Sequence, residues 1–351
     1  MTHGKLYLYQ KIASHIPSKY SGNTINYSYP SNESAVSGLL DNPLQTMKKS
    51  PVRLPYTLQR ALLDIAGSIP YELGLRVLSG FFGNAAVQNF LFRKRLKNFE
   101  RLTTTTTNKS ESRIDFTRHL LSSFIVPWQI NALSRVGESL FRRHVRLENA
   151  QLIDELKAAQ RPILLVSTHT GISRLGPLAL MRLGHAFSAI EPEPYLALMG
   201  ARRIEGMRSI LLRGEGAGFW MKELYQSRKV LAENGILQLA MDGHQGTGGV
   251  ERVFLGRRRV FHISMAKLAI EQEAAIVLIA ATLDEKGRVT IRFQGPVDTG
   301  DAALPAEERL EKFLDAYVGF VENVWRTDLG NVAPRHIQHH LRSEPVANPV
   351  I

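Results

Sequence analysis

The stretch Arg161-Pro162-Ile163-Leu164-Leu165-Val166-Ser167-Thr168-His169-Thr170-Gly171-Ile172-Ser173-Arg174 decides the fold. Its first half is a short, unbroken apolar run, the pattern of a strand buried on both faces. Its second half turns polar and leads into Leu175 to Leu183, which reads as a helix stopped by Gly184. A strand that opens onto the start of a helix is the building unit of open α/β sheets. Such sheets place their ligands at the carboxyl ends of their strands.

The same alternation continues on the C-terminal side. Strands are predicted over Ala186 to Ile190, Ile236 to Met241, Ala275 to Ala281 and Val289 to Phe293, with helices over Phe219 to Glu233 and Ile263 to Gln272. A last helix carries Leu310, Phe313, Leu314, Tyr317, Val318, Val321, Val324 and Trp325 on one face. It starts beside Pro305 with Glu307 and Glu308 in its first turn, ends before Gly330, and belongs to the core. Trp220, Met221 and Tyr225 are expected to pack on the sheet.

Upstream, Leu58 to Phe99 is predicted helical with a break near Pro70, Thr103 to Thr107 reads as a loop, and more helix runs to about Arg143. The expected organisation is a polar, poorly ordered arm over 1–55, a helical region over 56–144, an α/β domain over 145–330 and a polar tail over 331–351. The helical region is apolar at Leu73, Val77, Leu78, Phe81, Phe82, Val87, Phe90 and Leu91 and then basic at Arg93, Lys94, Arg95 and Lys97. That order suits either a core helix with solvated charges at its end or a segment lying on an anionic bilayer.

Composition narrows the function classes. The chain has 351 residues, 44 Lys and Arg against 32 Asp and Glu, and a net charge of +12. That surplus favours anionic partners without choosing among them. With Cys at 0, disulfides, thiolate nucleophiles and thiolate metal sites are excluded together. No signal peptide or membrane-spanning run is legible, so a cytoplasmic protein, peripheral on the inner face of a membrane at most, is expected. Nucleic-acid binding is a remote alternative resting on charge alone, because the basic residues are scattered and form no recognised module.

Two loops carry the candidate chemistry. His169, at the exit of the first strand, has the residue type of a general base near neutral pH, or it bonds loop backbone only. The second loop, Asp242-Gly243-His244-Gln245-Gly246-Thr247-Gly248-Gly249, also follows a strand, and its glycines allow close approach to an anion. Arg257, Arg258 and Arg259 read as a basic turn, either solvated or facing a phosphate. His336, His339 and His340 lie in the polar tail, where solvation is expected over weak metal binding. His339 to Glu344, the literal His-x4-Glu in the chain, is a chance match there. No metal site is predicted.

From about Val145 to Pro296 the order of blocks resembles the lipid A lauroyl/myristoyl acyltransferase family. The blocks are the His169 loop, Leu231-Ala232-Glu233-Asn234-Gly235-Ile236, the Asp242 loop, Val253-Phe254-Leu255-Gly256, Lys267-Leu268-Ala269 and Glu273-Ala274-Ala275-Ile276-Val277. Arg93 to Phe99 is similar to the basic stretch that precedes the family's catalytic domain. The resemblance implies a glycerol-3-phosphate-acyltransferase-like fold, a layered mixed sheet flanked by helices. It implies transfer of a fatty acyl group from an acyl-carrier-protein or coenzyme A thioester to a hydroxyl (or amine) of a glycolipid, lipid or biosynthetic intermediate. The thioester is a co-substrate and no cofactor is implied. His169 takes the place of the family's base and Asp242 that of its loop acid. Ser173, Arg174, Arg208 or Arg213, Gly243, Phe254 and Gly256 fall at expected substrate-binding positions.

The family has an acid five residues after its His, and here that residue is Arg174. A guanidinium cannot accept the ring N–H and disfavours the imidazolium the reaction passes through. Three outcomes stay open. Asp242, Glu191 or Glu193 orients His169 from another loop; Ser173 or a carbonyl holds the ring while Arg174 faces a phosphate; or transfer is lost and the protein only binds an acyl chain or carrier protein. Glu191-Pro192-Glu193-Pro194 is expected to be a stiff strand exit.

Overall fold

The apolar run of the opening stretch forms a strand, Ile163–Ser167, in which every residue is buried. In the computed structural model, which describes residues 68–103, 112–192, 206–212, 217–242, 249–284 and 287–346, this strand lies at the middle of a seven-stranded sheet. In chain order the strands are β1 (Val145–Glu148), β2 (Ile163–Ser167), β3 (Phe187–Pro192), β4 (Met207–Leu212), β5 (Ile236–Ala240), β6 (Val250–Phe254), β7 (Arg257–Phe261), β8 (Ala275–Leu283) and β9 (Val289–Gln294). The sheet order is β1-β9-β8-β2-β5-β3-β4, and β6 and β7 form a separate antiparallel hairpin. All neighbours in the large sheet are parallel except β8 and β9.

The register of the central strands positions the site. Ser167, the last residue of β2, lies opposite Ala240, the last of β5, and opposite Ile279 of β8. The chain segments leaving β2 and β5 therefore emerge side by side at one edge of the sheet.

Helices flank the sheet. They are α1 (Tyr71–Gly83), α2 (Ala85–Leu91), α3 (Arg93–Thr103), α4 (Ser112–Phe124), α5 (Val126–Arg135), α6 (Glu138–His144), α7 (Gln151–Ala158), α8 (Gly176–Arg182), α9 (Ala217–Ala232), α10 (Ser264–Glu271), α11 (Ala306–Thr327) and α12 (Pro334–Arg342). The predicted amphipathic helix is α11, whose Leu310, Phe313, Leu314, Tyr317, Val321, Val324 and Trp325 are buried. Full burial of one such side chain stabilises by roughly 1.5–3 kcal/mol, so this face holds α11 firmly on the core.

The helical region breaks at Asn84 and Phe92, with Asn84 capping α2 through hydrogen bonds accepted from the backbone N–H groups of Ala86 and Val87. The expected helix before Pro70 and the arm over 1–55 lie outside the described residues, as does most of the Thr103–Thr107 loop.

Three expectations need correction. The basic turn over Arg257–Arg259 is strand β7, and Arg259 is buried within it. Tyr225 does not pack on the sheet; it is 70% exposed. The tail is not solvated throughout, since α12 buries His336, Ile337 and His340 while Arg335, Arg342 and Glu344 stay exposed. Spaced four residues apart, His336 and His340 share one helix face, and neutral imidazoles are small enough in polarity to line a core.

These buried rings make stability pH-dependent. Burial, reinforced by Arg95, pushes His119 down to about 3, and burial with Arg259 and Arg257 pushes His340 down to about 4. Burial, then the neighbouring His169, takes His336 lower still. The folded state keeps these rings neutral while the unfolded chain takes up protons near 6.5, so stability is complete above that pH and lost below it. Glu191 and Asp328, raised by burial, work in the opposite direction on acidification. The net expectation is a urea midpoint that falls between pH 7 and pH 5, as the unfolding free energy drops by up to about 1.4 kcal/mol per pH unit for each linked histidine. A flat or rising midpoint would contradict it.

Candidate active site

His169 and Asp242 each lie two residues beyond the register pair Ser167–Ala240, and their side chains meet. His169 Nδ1 is 2.6 Å from Asp242 Oδ1. The same carboxylate accepts the His169 backbone N–H at 3.0 and 3.1 Å and the Thr168 hydroxyl at 2.7 Å on Oδ2. An ionised carboxylate is an acceptor only, so the ring must present Nδ1–H to it, which leaves the lone pair on Nε2. The His169 side chain is 21% exposed, whereas that of Asp242 is 1% exposed. The ring is thus partly exposed, with its Nδ1 edge bound to a buried carboxylate.

Burial alone would raise the Asp242 carboxyl. The His169 charge and hydrogen bond, then Arg259 and His336, more than reverse this and hold it well below the usual carboxylate range. Arg259 Nη2 sits 3.7 Å from Asp242 Oδ2 and donates to the Asp242 carbonyl at 2.5 Å. Its guanidinium is enclosed by the rings of Phe254, Phe261 and Trp325, at 4.7, 5.5 and 5.3 Å from their centroids. Burial lowers the Arg259 pKa, and Asp242 opposes that.

The His169 loop is clamped from the C-terminal side. Tyr317 donates to Ser167 O at 2.9 Å, Thr170 donates through its hydroxyl to Ala281 O at 2.8 Å, and Gly171 N–H donates to Asn331 O at 2.5 Å. Ala333 N–H donates to His169 O at 3.2 Å, and Asn331 in turn bridges the backbone of Leu283. Gly171 packs so closely on α4 that a Cβ would lie 2.6 Å from the Ser122 carbonyl carbon.

His336 stacks on His169, with ring centroids 4.2 Å apart and planes 23° apart. His169, Asp242 and His336 also bring three ligand-type atoms within 4.8 Å of one another. They do not suit one metal ion. An imidazole binds a metal along a lone pair in its own ring plane at about 2 Å, and two planes so nearly parallel do not converge within that reach. The Arg259 cation beside Asp242 opposes a second positive charge there.

Arg174 is tied to Glu191 at 3.1 Å. Burial raises the Glu191 carboxyl, and Arg174, then His169 and Arg335, oppose the rise. Of the acids considered for orienting His169, the structure brings Asp242 onto the ring; Glu191 stands nearby at the end of β3, and Glu193 is outside the described residues. Ser173 lies in the short 3-10 turn before α8, beside Arg174.

Other expected substrate contacts fall elsewhere. Arg208 is exposed near the amino end of β4, the opposite sheet edge from His169, because β4 runs parallel to the central strands. Phe254 is fully enclosed, packed on Phe261, Trp325 and His340, and presents no surface to a ligand. Gly256 has φ +74° in the β6–β7 turn, next to Leu255 at +47°, so its role there is conformational. Arg213 and Gly243 lie outside the described residues. Sequence reasoning missed Arg259 and His336 as neighbours of the site. The signal for His336 was the His336–Ile337–His340–Leu341 face behind a proline at the helix start.

Comparison with protein-family models gives no match, and comparison with curated proteins gives none.

Gly171→Ala should destabilise the fold by about 1–3 kcal/mol, since the Ser122 backbone must yield to the new methyl. Gly80→Ala, a helical position with open space around the added Cβ, should stabilise by about 0.5–1 kcal/mol. Urea unfolding of both variants checks the contrast; equal effects at the two positions would contradict the tight packing of the His169 loop.

Proposed function

We propose that the protein is an acyltransferase that uses His169 as its general base and Asp242 as the group that orients it. The observation that carries this reading is the 2.6 Å contact between His169 Nδ1 and Asp242 Oδ1 at the carboxyl ends of two central parallel strands. The resemblance to lipid A lauroyl/myristoyl acyltransferases supports it, and that resemblance implies a glycerol-3-phosphate-acyltransferase-like fold and a fatty acyl thioester of carrier protein or coenzyme A as donor. A lipid, glycolipid or biosynthetic intermediate is the acceptor.

In this reading Nε2 takes the proton of the acceptor hydroxyl as its oxygen attacks the thioester carbon. The negative charge moves to the carbonyl oxygen, and Arg174, whose partner Glu191 also feels the His169 charge, is the candidate to stabilise it. The C–S bond then breaks, and the imidazolium gives its proton to the leaving thiolate, which departs as the thiol and restores the base. Asp242 stays ionised throughout, which favours that imidazolium. Loss of the family's acid five residues after the His is tolerable here because the Nδ1 side of the ring is already occupied.

Purified protein should transfer a labelled acyl chain from carrier thioester to a lipid extract, and His169→Ala should slow this by about 10²–10⁴-fold. Unimpaired transfer by the variant would overturn the assignment of the base. Thioester binding with no turnover by the native chain would instead identify a non-catalytic relative. Arg174→Glu should not raise turnover, because it sets an unpaired carboxylate against Glu191 while Asp242 already holds the ring. A rise in the steady-state rate would show that Asp242 is insufficient.

A further inference from the structure

Helix α1 has two apolar faces. Tyr71, Leu75 and Phe82 point into the core, where Tyr71 stacks on Trp128 at 5.0 Å. Leu73, Val77 and Phe81, four residues apart, form a second stripe that is 54%, 62% and 47% exposed. Ile69 before the helix and Phe90 and Leu91 at the end of α2 are exposed as well, Phe90 by 86%. This many exposed large apolar side chains on two consecutive helices are not what the solvated side of a surface helix normally carries.

Charge accompanies this apolar surface. Arg76 is exposed on α1, and Arg93, Lys94 and Lys97 are exposed on α3 directly after Leu91. The acid within α1, Glu72, is engaged by Arg143 at 3.1 Å. An apolar stripe with cations at its margin fits a surface whose interior is hydrocarbon and whose rim is anionic. It fits a second copy of this chain less well, since a two-fold contact would bring the same basic groups against each other in a protein already at +12.

We propose that the exposed face of α1 and α2 docks on an anionic lipid bilayer. Leu73, Val77, Phe81, Phe90 and Leu91 enter the acyl-chain boundary, and Arg93, Lys94 and Lys97 meet the headgroup phosphates. Among the described residues no helix is long and apolar enough to cross a membrane, so this contact lies in the plane of the interface. The proposal does not rest on acyl transfer, because its evidence is the exposed surface and not the His169 site.

Cosedimentation of the full chain with vesicles tests it. The protein should bind phosphatidylcholine vesicles containing phosphatidylglycerol at least about 10-fold more tightly than phosphatidylcholine alone, and the difference should shrink in high salt. The double variant Val77→Asp/Phe90→Asp should lose at least about 10-fold in binding with an unchanged unfolding midpoint, since both positions are exposed. His169→Ala should bind vesicles like the native chain, which separates this result from any assay of turnover. Equal vesicle binding by native and double-variant protein would overturn the proposal, as would no binding by the native chain. A native dimer that the double variant dissociates would overturn it in favour of self-association. New protease cleavage before residue 68 in the double variant would overturn it in favour of cover by this chain's own N-terminal region.

Discussion

The hydrogen bond between His169 and Asp242 is the contact on which the rest of the site depends. It joins two chain segments 73 residues apart, and it forms because β2 and β5 are parallel neighbours ending in register. Each strand then needs the same short excursion to bring its functional side chain to the common edge. The carboxylate is fully engaged from the inner side by the His169 amide and the Thr168 hydroxyl, so it cannot rotate away without leaving buried donors unpaired. The result is a ring of fixed tautomer, held at the mouth of the sheet.

Around this pair the protein maintains a buried ionic cluster. Arg259 offsets the Asp242 charge from below, and three aromatic rings offset the desolvation of Arg259 from the side. A charge pair this dry stabilises little by itself, because removing both ions from water costs several kcal/mol for each. Its effect is on arrangement: Asp242 is kept ionised and aimed, and His336 is kept neutral against the face of His169. The C-terminal segment, through Asn331, Val332 and Ala333, then fixes the loop that carries His169. The site is assembled from the two ends of the α/β unit.

Much of this architecture was legible in the sequence, for identifiable reasons. Strand β2 was plain because all of its faces are buried, so its residues are apolar without alternation. His169 and Asp242 were legible because strand exits in such sheets are where chemistry collects. Strand β4 was not, since Met207-Arg208-Ser209-Ile210-Leu211-Leu212 mixes polar and apolar residues without a period. The β6–β7 hairpin was hidden because Leu255, a poor residue for positive φ, stands in its turn. Along β7 the usual pattern is inverted: Arg259 is inside and Val260 outside, so hydrophobicity assigned the charge to solvent. For α12 the failure is similar, as a helix rich in His, Arg and Gln reads as polar until its imidazoles are seen to be neutral and enclosed. In both cases burial of polar groups was set by a partner distant in sequence, which no local pattern records.

The central claim concerns one proton, and its position is directly measurable. Nitrogen NMR of the histidine-labelled protein near neutral pH, with the His169 signals assigned by their loss in His169→Ala, reports which ring nitrogen carries hydrogen. The account predicts the Nδ1–H form with a strongly deshielded proton shared with Asp242, and an unprotonated Nε2. A neutral ring protonated at Nε2 instead would contradict it, because no lone pair would then face the reactant.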